Sequence, residues 1–398
     1  MNITQGNIFW EQGMDIRYNY PYLTHDRKCD ILIIGGGITG ALSAYYQAKQ
    51  GHNVILVEKN LIGYGSTLEN MGVICANTEI LNNSKKVDKK TLKRVKMLSS
   101  KALKDIVQII EEINNTKEEN KEIPYSLCDT LYFSDRASGK FVISKLHDEI
   151  YENDSKIEYI EENDLLDISA GVLEKESSLL LNPYIFNQEL VQYLSKMENV
   201  EVYENTYIEV LNSKDNEVEA QTSNRFKIHA KKAIVCAGIS IEDYLKDCEF
   251  DLYKTFNIAV KLDKSYNTNL VALDNVKMFR FNNNHVILNG EDIKITKTGN
   301  TEEYEKRFAD GKYKRLYNTL IRSMEIEDIK IKNCFYGTYL MTKDGLPIID
   351  EIEQLPNIYC NLGIGKNGII YSAIGAKMLS SIYDDCYTKD MNLFRINR

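Results

Sequence analysis

The stretch that most constrains the fold runs from Cys29 to Glu58 and reads CDILIIGGGITGALSAYYQAKQGHNVILVE. It begins with an apolar run, Ile31–Ile34, which is typical of a buried strand, and it ends with a second such run, Val54–Val57. The residues between the two runs open with G-x-G-x-x-G and continue as a helical segment that Gly51 ends. This order predicts a parallel β-α-β unit.

In a unit that binds a dinucleotide, each glycine of the motif is needed for a physical reason. Gly35 permits the tight turn, Gly37 lets backbone approach a pyrophosphate, and Gly40 lets helix pack closely on strand. The positive end of the helix faces the phosphates. Glu58 lies 18 residues past Gly40, where a carboxylate accepts hydrogen bonds from a ribose hydroxyl. A glycine turn that binds nothing is the alternative, and the agreement of the flanking parts disfavours it. We predict an adenine dinucleotide.

Composition excludes several classes of protein. A chain of 398 residues predicts two domains, and a net charge of −9 argues against nucleic acid as a partner. No apolar run approaches the roughly 18 residues of a membrane span, and the N-terminus lacks the layout of a signal peptide. The eight cysteines are scattered without a C-x-x-C pair, which favours reduced thiols in a cytoplasmic protein. The histidines are too far apart in sequence to predict a metal site. The oligomeric state stays open.

The rest of the chain alternates helical and strand-like patterns. After Glu58, the small and polar segment 63–72 predicts a loop close to the ligand. The lysine-rich region 82–122 has apolar residues at three- and four-residue steps, which predicts a helix that packs through one face. The other predicted helices lie near 137–152, 187–197 and 303–324, and the predicted strands are 130–133, 200–203, 207–211, 217–221, 226–228, 232–238, 278–281 and 285–288. The last two strands are joined by Asn282-Asn283-Asn284, a hairpin signal.

A second fingerprint lies near the C-terminus. Residues 342–347 form a T-x-D-G-x-P turn, and a strand then leads into the sequence GIGKNGI at 363–369. Together with the N-terminal motif, the 63–72 loop and the strand that ends on Ala237-Gly238, this region resembles the D-amino acid oxidase, glycine oxidase and sarcosine oxidase superfamily. These flavoproteins oxidise amines and amino acids. The motifs occur in the family's order across nearly the whole chain.

The resemblance implies that the dinucleotide is FAD, bound without a covalent link. The glycine turn would meet the pyrophosphate, Glu58 the adenosine ribose, and Ile208 would offer backbone to adenine. Because a helix N-terminus carries about half a positive charge, the helix that starts at Gly368 would stabilise negative charge on the flavin's pyrimidine edge. The predicted cofactor-binding residues are Gly35, Gly37, Gly40, Glu58, Lys59, Ser66, Thr67, Asn70, Gly72, Ile208, Ala237, Gly238, Gly363, Gly365, Lys366, Asn367, Gly368 and Ile369.

Five positions bear on the substrate. Glycine oxidases carry arginines at the positions where this chain has Tyr339 and Lys366. Sarcosine oxidases carry a lysine where this chain has Ile370. Many relatives carry an arginine where this chain has Glu69. The cysteine that links flavin in sarcosine oxidases also falls at or beside Tyr339. The predicted catalytic residues are Lys366, Tyr339 and Arg280. A lysine that points to solvent and a solvated strand-face arginine are the alternative interpretations of Lys366 and Arg280.

A carboxylate is best held by a bidentate arginine in a dry pocket, and that arginine is missing from its usual place. We therefore expect the substrate to be an amine, or a modified amino acid with a secondary amine, rather than a simple D-amino acid. Lys366 would be a single positive contact for a carboxylate.

The predicted fold class is α/β, with a Rossmann-like parallel-sheet FAD domain interleaved with a mostly antiparallel-sheet substrate domain. Residues 1–81, 183–245 and 336–398 form the first domain, and 82–182 and 246–335 form the second. The predicted function is oxidation of the C–N bond of a small amine or amino acid by hydride transfer to flavin, after which the imine is hydrolysed. A dehydrogenase that passes electrons to a quinone or carrier protein and a non-catalytic flavin-binding protein are the alternatives.

Overall fold

The computed structural model describes residues 9–10, 17–76, 87–118, 121–150, 156–214, 217–245, 250–262, 268–274, 276–295, 302–326, 329–363 and 365–398. The strands in these residues are β1 (Arg27–Ile34), β2 (Val54–Val57), β3 (Val73–Cys75), β4 (Tyr125–Ser134), β5 (Ile157–Ile160), β6 (Ala170–Leu181), β7 (Val200–Tyr203), β8 (Ile208–Lys214), β9 (Glu217–Thr222), β10 (Lys227–Val235), β11 (Asp251–Lys261), β12 (Asn269–Leu273), β13 (Met278–Asn282), β14 (His285–Lys294), β15 (Ile331–Met341), β16 (Ile348–Glu351) and β17 (Ile358–Leu362). The helices are α1 (Ile38–Lys49), α2 (Ser66–Glu69), α3 (Lys89–Asn114), α4 (Lys140–Ile150), α5 (Pro183–Leu194), α6 (Glu302–Met324) and α7 (Gly368–Met378). Short 3-10 turns lie at Ala137–Gly139, Gly238–Asp243, Leu379–Asp384 and Lys389–Leu393.

The first sheet has eight strands in the described part of the chain, and its main path runs β16-β17-β10-β1-β2-β7. The strands from β17 to β7 are parallel to one another, and β16 is antiparallel at the edge. β9 pairs with the first half of β10, and β8 pairs with β9. Because parallel strands end at the same edge of a sheet, the loops after β1, β2, β10 and β17 lie together.

Both faces of β1 are covered, as its unbroken apolar run predicts. Ile31 and Ile33 lie in a core shared with α1, α3, α5 and α7. Leu32 and Ile34 lie in a second core beneath β8, β9 and β10. All four side chains are at most 5% exposed. The strand is therefore held between two layers, and its carboxyl end is fixed in place.

The second sheet has nine strands among the described residues, in the order β15-β11-β14-β13-β12-β4-β6-β3, with β5 beside β6. Only the β4–β12 pair is parallel within that set. α6 packs on one face, where Leu316 lies in the same core as Phe256. The other face carries Met278 and Phe335 in a core with Trp10. The two sheets confirm the predicted fold class.

The predicted domain boundaries stay a prediction. Positions 81 and 246 lie outside the described residues. The second sheet includes β3, which precedes position 81, and all of β15, which begins before residue 336. Strands of one sheet are thus drawn from segments that the sequence assigned to both domains.

Three local predictions need correction. The helix predicted at 187–197 is α5, which begins earlier because the Asn182 side chain accepts hydrogen bonds from the backbone of Tyr184 and Ile185, with Pro183 at the first helical position. The strands predicted at 226–228 and 232–238 are one strand, β10. The long strand β6 was not predicted, since the polar residues Glu174–Ser178 interrupt its apolar pattern.

Gly40 sits where α1 crosses β1, and a Cβ there would lie 1.8 Å from the carbonyl oxygen of Gly35. We expect Gly40→Ala to lower the free energy of unfolding by about 2 kcal/mol or more, because backbone must move to relieve the overlap. The matched control is Gly311→Ala in α6, where a Cβ meets nothing within 4 Å and alanine favours the helix by about 1 kcal/mol. Urea denaturation of both variants tests this. Equal midpoints for the two would contradict the packing argument.

Candidate functional site

A cleft lies at the carboxyl ends of β1, β2, β10 and β17 and extends to the second sheet, with about 1650 Å³ of empty space including its mouth. One end is lined by Ile208, Ala237, Gly238, Ser240 and Tyr244, and the other by Thr255, Asn257, Met278, Asn289, Tyr339 and Lys366. The glycine turn and the start of α7 lie along its length. The two fingerprints found in the sequence therefore border one continuous space.

The glycine turn is held by close backbone contact. Gly35 has a φ of +114°, and a Cβ on it would lie 2.4 Å from the carbonyl oxygen of Cys236. A side chain at this position is therefore excluded both by conformation and by space. Gly37 follows as the residue before α1 and lines the cleft.

The N-termini of two helices border the cleft, and at α1 the Thr67 hydroxyl accepts a hydrogen bond of 3.0 Å from the backbone of Ile38. α1 begins after Gly37 and α7 after Asn367, and neither residue caps its helix through its side chain. By contrast, α3 and α5 are capped by Asp88 and Asn182. The backbone N–H groups at the start of a helix favour anionic groups. The cleft thus offers two such positions, one at each fingerprint.

Glu58 follows β2 and lines the cleft beside the glycine turn. Its Oε2 accepts a hydrogen bond of 2.7 Å from the backbone of Gly36, and its Oε1 one of 2.8 Å from the backbone of Asn60. Burial raises the pKa of Glu58 above its ordinary value, although these two bonds oppose the shift. Each carboxyl oxygen retains a lone pair for a hydroxyl of a ligand.

The neighbouring end of the cleft is closed by polar contacts between separate segments. Lys59 Nζ donates to Ser240 Oγ at 2.6 Å. Tyr244 OH donates to the backbone oxygen of Ile208 at 3.1 Å. These bonds hold the loop after β10 against the start of β8, so that Ile208 forms part of the wall.

Glu69 is a buried carboxyl at the opposite end of the cleft. It lies against β15, where the backbone and hydroxyl of Thr338 donate to its Oε2 at 2.9 and 3.3 Å. Its Oε1 has no hydrogen-bond partner among the described residues. Burial raises the pKa of Glu69 to about 8. Gly337 makes the approach possible, since a Cβ on it would lie 3.2 Å from the Cβ of Glu69.

Tyr339 and Lys366 meet on one carboxylate, Asp292. Tyr339 OH donates to its Oδ2 at 3.0 Å, and Lys366 Nζ lies 2.9 Å from the same oxygen. Lys366 also donates to the backbone oxygen of Val276 at 3.2 Å. Tyr339 and Lys366 both line the cleft, and they lie close to each other through their shared contact with Asp292.

A family model described as FAD dependent oxidoreductase matches residues 30–382. The chain belongs to the FAD-dependent oxidoreductase family. The match includes both fingerprints and both sheets, so the chain is a flavin oxidoreductase, and the resemblance seen in the motifs is confirmed.

This FAD-dependent oxidoreductase is similar to one further protein sequence and to two solved structures. A Bacillus subtilis protein that carries the name Rieske 2Fe-2S iron-sulfur protein YhfW is 23% identical over 391 residues, which cover 94% of this chain and 72% of that protein. The crystal structure of glycine oxidase from Geobacillus kaustophilus has a TM-score of 0.78 at 16% identity and covers 94% of this chain and 99% of its own. L-proline dehydrogenase from P. horikoshii has a TM-score of 0.75 at 17% identity, with 94% and 98% covered. The two structures establish a shared fold.

The residues of the cleft fit FAD. Two helix starts favour its negative groups, and the half-buried carboxyl of Glu58 retains acceptor capacity beside the glycine turn for a ribose. Most of the predicted cofactor-binding residues line the cleft: Gly35, Gly37, Glu58, Lys59, Ser66, Thr67, Asn70, Ile208, Ala237, Gly238, Gly363, Gly365, Lys366, Gly368 and Ile369. Whether each contacts the cofactor stays a prediction.

Three predicted cofactor residues support the cleft from behind. Gly40 packs on the carbonyl oxygen of Gly35. Gly72 has a φ of +73°, and a Cβ on it would lie 2.2 Å from the carbonyl oxygen of Leu181. Asn367 is buried and immediately precedes α7. None of these three is among the described lining residues.

Arg280 is separated from the other two predicted catalytic residues. Its guanidinium lies 5.2 Å from the centre of the Trp10 ring, and the Trp10 indole N–H donates to the backbone oxygen of Asn70 at 2.6 Å. Burial lowers the pKa of Arg280 to about 10. The side chain is 4% exposed and is not among the described lining residues. Its predicted alternative, a solvated arginine on a strand face, is therefore wrong.

Sequence reasoning missed the polar residues of the second sheet. Thr255 and Asn257 lie two residues apart in the otherwise apolar end of β11, and Asn289 follows the apolar run 285–288. Polar residues that recur on one face of a buried strand are a signal for a site. The signal was present in the sequence, but the strand pairing that brings Asn257 opposite Asn289 was not.

No helix in the described residues is both long and apolar enough to cross a membrane. Within the same residues, no group of three or more His, Cys, Asp or Glu side chains could hold a metal ion. The prediction that no metal takes part stays a prediction.

The pKa of Glu69 predicts a pH-dependent stability. The folded protein holds this proton up to about pH 8, whereas an unfolded glutamate releases it near 4.5. Stability therefore decreases between pH 4.5 and 8, by at most about 1.4 kcal/mol per unit from this group. We expect Glu69→Gln to remove that dependence, as measured by urea denaturation at several pH values across the interval. Identical pH slopes for both proteins would contradict the buried, protonated carboxyl.

Proposed function

We propose that this flavin oxidoreductase oxidises the C–N bond of a small amine or modified amino acid by hydride transfer, with hydrolysis of the resulting imine. The continuous cleft is the observation that carries the proposal, because it joins a dinucleotide site to a buried polar wall on the second sheet. The names of the structural neighbours, a glycine oxidase and an L-proline dehydrogenase, support an amine or amino acid as the substrate.

FAD would supply the hydride acceptor. Around it, the N-terminus of α7 would offset the negative charge that arises when the acceptor is reduced, since no side chain caps that helix. The Met278 side of the cleft and the strand β15 would exclude water from the reacting C–H bond. Glu69 Oε1, which has no described partner, is placed to hold or accept a proton near the amine.

We propose that FAD is bound without a covalent link. The linking cysteine of sarcosine oxidases falls at or beside Tyr339, whose hydroxyl donates to Asp292. Denaturation in acid followed by filtration would release a non-covalent flavin completely. Flavin that stayed with the precipitated chain would overturn this part of the proposal.

We also propose a cytoplasmic location. None of the seven described cysteines forms a disulfide, and five of them are buried. Reduced thiols suit a reducing compartment. Fractionation of cells that produce the natural protein is the direct measurement.

The proposed reaction predicts that the right amine bleaches the flavin without oxygen. We expect one or more amines in an anaerobic panel of primary amines, secondary amines and N-alkyl amino acids to remove the flavin's visible absorbance. Lactate and glycerol 3-phosphate serve as controls that contain no nitrogen. A panel in which only the nitrogen-free compounds bleach the flavin would contradict C–N oxidation.

The electron acceptor is a second question, and one observation favours a carrier protein. The relative named as a Rieske 2Fe-2S iron-sulfur protein aligns with 94% of this chain at 23% identity, and its name supports an iron-sulfur carrier as the acceptor. We expect faster turnover with a one-electron dye than with air. Stoichiometric peroxide formation in air at a rate equal to that with the dye would instead identify an oxidase.

A further inference from the structure

Four side chains of the second sheet form one hydrogen-bonded chain beside the cleft. Thr255 Oγ1 donates to Asp292 Oδ1 at 2.5 Å. Asn289 Nδ2 lies 2.8 Å from Thr255 Oγ1 and 2.9 Å from Asn257 Oδ1. Thr255, Asn257 and Asn289 line the cleft, and each is at most 9% exposed.

The carboxylate of Asp292 sets the direction of this chain. A carboxylate paired with Lys366 accepts hydrogen bonds only, so the hydroxyl of Thr255 must donate to it. The oxygen of Thr255 then accepts from Asn289, whose second amide hydrogen is directed to Asn257 Oδ1. The orientation of both amides follows from these contacts, which would otherwise be ambiguous.

The chain ends in two buried groups that have no partner. Asn257 Nδ2 is a donor and Asn289 Oδ1 is an acceptor, and neither has a hydrogen bond among the described residues. The two residues are directly paired across β11 and β14, so their side chains lie side by side on one face. Leaving a buried polar group without a partner costs about 1–3 kcal/mol. A ligand that presents an acceptor beside a donor would satisfy both.

The charges around these groups do not favour a carboxylate. Lys59 and Lys366 are the basic side chains among the described lining residues. Lys59 lies at the other end with Ser240, and the charge of Lys366 is balanced by Asp292. Glu69 lies over the same sheet face, since it contacts Gly337, which pairs with Thr255. At this end of the cleft, a substrate carboxylate would therefore find no cation without a counter-charge among the described lining residues.

We propose that this end of the cleft binds a carboxamide in place of a carboxylate, so that the substrate is the amide of an amino acid or another amine with a neutral –CO–NH– group. Asn257 Nδ2 donates to the carbonyl oxygen, and Asn289 Oδ1 accepts from the amide N–H. Asp292 is the positioning residue that selects the neutral group, because it orients both amides and balances Lys366. The inference rests on the proposed oxidation of an amine, since it names the non-reacting part of that substrate.

The flavin ring also has a –CO–NH– edge that could bind Asn257 and Asn289. The test must therefore distinguish a substrate amide from the flavin as the group that these two residues bind. The probes are two matched pairs, N-methylglycine with its carboxamide and proline with its carboxamide. Each is titrated anaerobically into FAD-loaded protein, and binding is followed through the flavin spectrum. We expect each amide to bind at least about tenfold more tightly than its acid, which corresponds to about 1.4 kcal/mol.

Two substitutions address the two parts of the mechanism. Asp292→Asn leaves Lys366 without its counter-charge and lets Thr255 reorient, so we expect the preference for amide over acid to fall at least about tenfold or reverse. Asn257→Asp keeps the acceptor toward Asn289 and replaces the free donor by an oxygen. We expect it to weaken amide binding by about tenfold or more while leaving FAD affinity unchanged. Asn282→Asp, at the turn between β13 and β14, is the matched control and should leave the preference as in the wild type.

The outcomes are distinct. Tighter binding of the acids by the wild-type protein would overturn the inference even if neither variant folds. A loss of FAD affinity in Asn257→Asp with an unchanged amide preference would assign the two amides to the flavin and overturn it as well. If the amides bind preferentially but no amine bleaches the flavin, the inference stands as a binding site and the proposed oxidation fails.

Discussion

The fold depends on one close contact, that of α1 on the carboxyl end of β1. Helix α1 can approach β1 this closely only because Gly40, which lies over the carbonyl oxygen of Gly35, has no side chain. Gly35 in turn lies against the carbonyl of Cys236, so three segments meet without any side chain between them. The turn is thereby fixed relative to the ends of both β1 and β10. A cleft lined by backbone N–H groups follows from this packing, and it leaves room for an anionic ligand where a side chain would otherwise stand.

The other end of the cleft is built on a different principle. There the second sheet supplies side chains rather than backbone, and their positions follow from strand pairing. Asn257 lies opposite Asn289, and Thr255 lies opposite Gly337. The missing side chain of Gly337 lets Glu69 reach the strand from the first sheet's side. Each end of the cleft therefore requires a glycine. At the first end, Gly40 lets two backbone segments approach each other, and at the second, Gly337 leaves room for the carboxyl group of Glu69.

The sequence was most informative where a local pattern determines local structure. The β1 run, the glycine spacing and Glu58 could be interpreted from the sequence, because their spacing along the chain fixes their places within one β-α-β unit. The helix boundaries of α5 were less accurate, since the cap at Asn182 competes with the apolar periodicity that begins later. The polar wall could not be derived, because it depends on which strands pair. Asp292, which joins Tyr339 to Lys366, lies 47 residues from the first and 74 from the second, and no spacing rule connects them.

Lys366 illustrates how the meaning of a residue changes with its partners. As a lone lysine beside the flavin, it suggested a contact for a carboxylate. Its Nζ lies 2.9 Å from Asp292 Oδ2, so Lys366 is half of a neutral ion pair and its charge is balanced within the protein. The side chains of Lys366 and Asp292 are 20% and 21% exposed. Because their charges offset each other, the pair disfavours an ionic ligand group, while the hydrogen bonds of Asp292 still orient the neighbouring amides. Tyr339 fits the same arrangement, because a third charge at its position would leave Asp292 over-compensated. The uncharged side chain of Tyr339 and the neutral wall of the cleft are therefore two aspects of one charge balance.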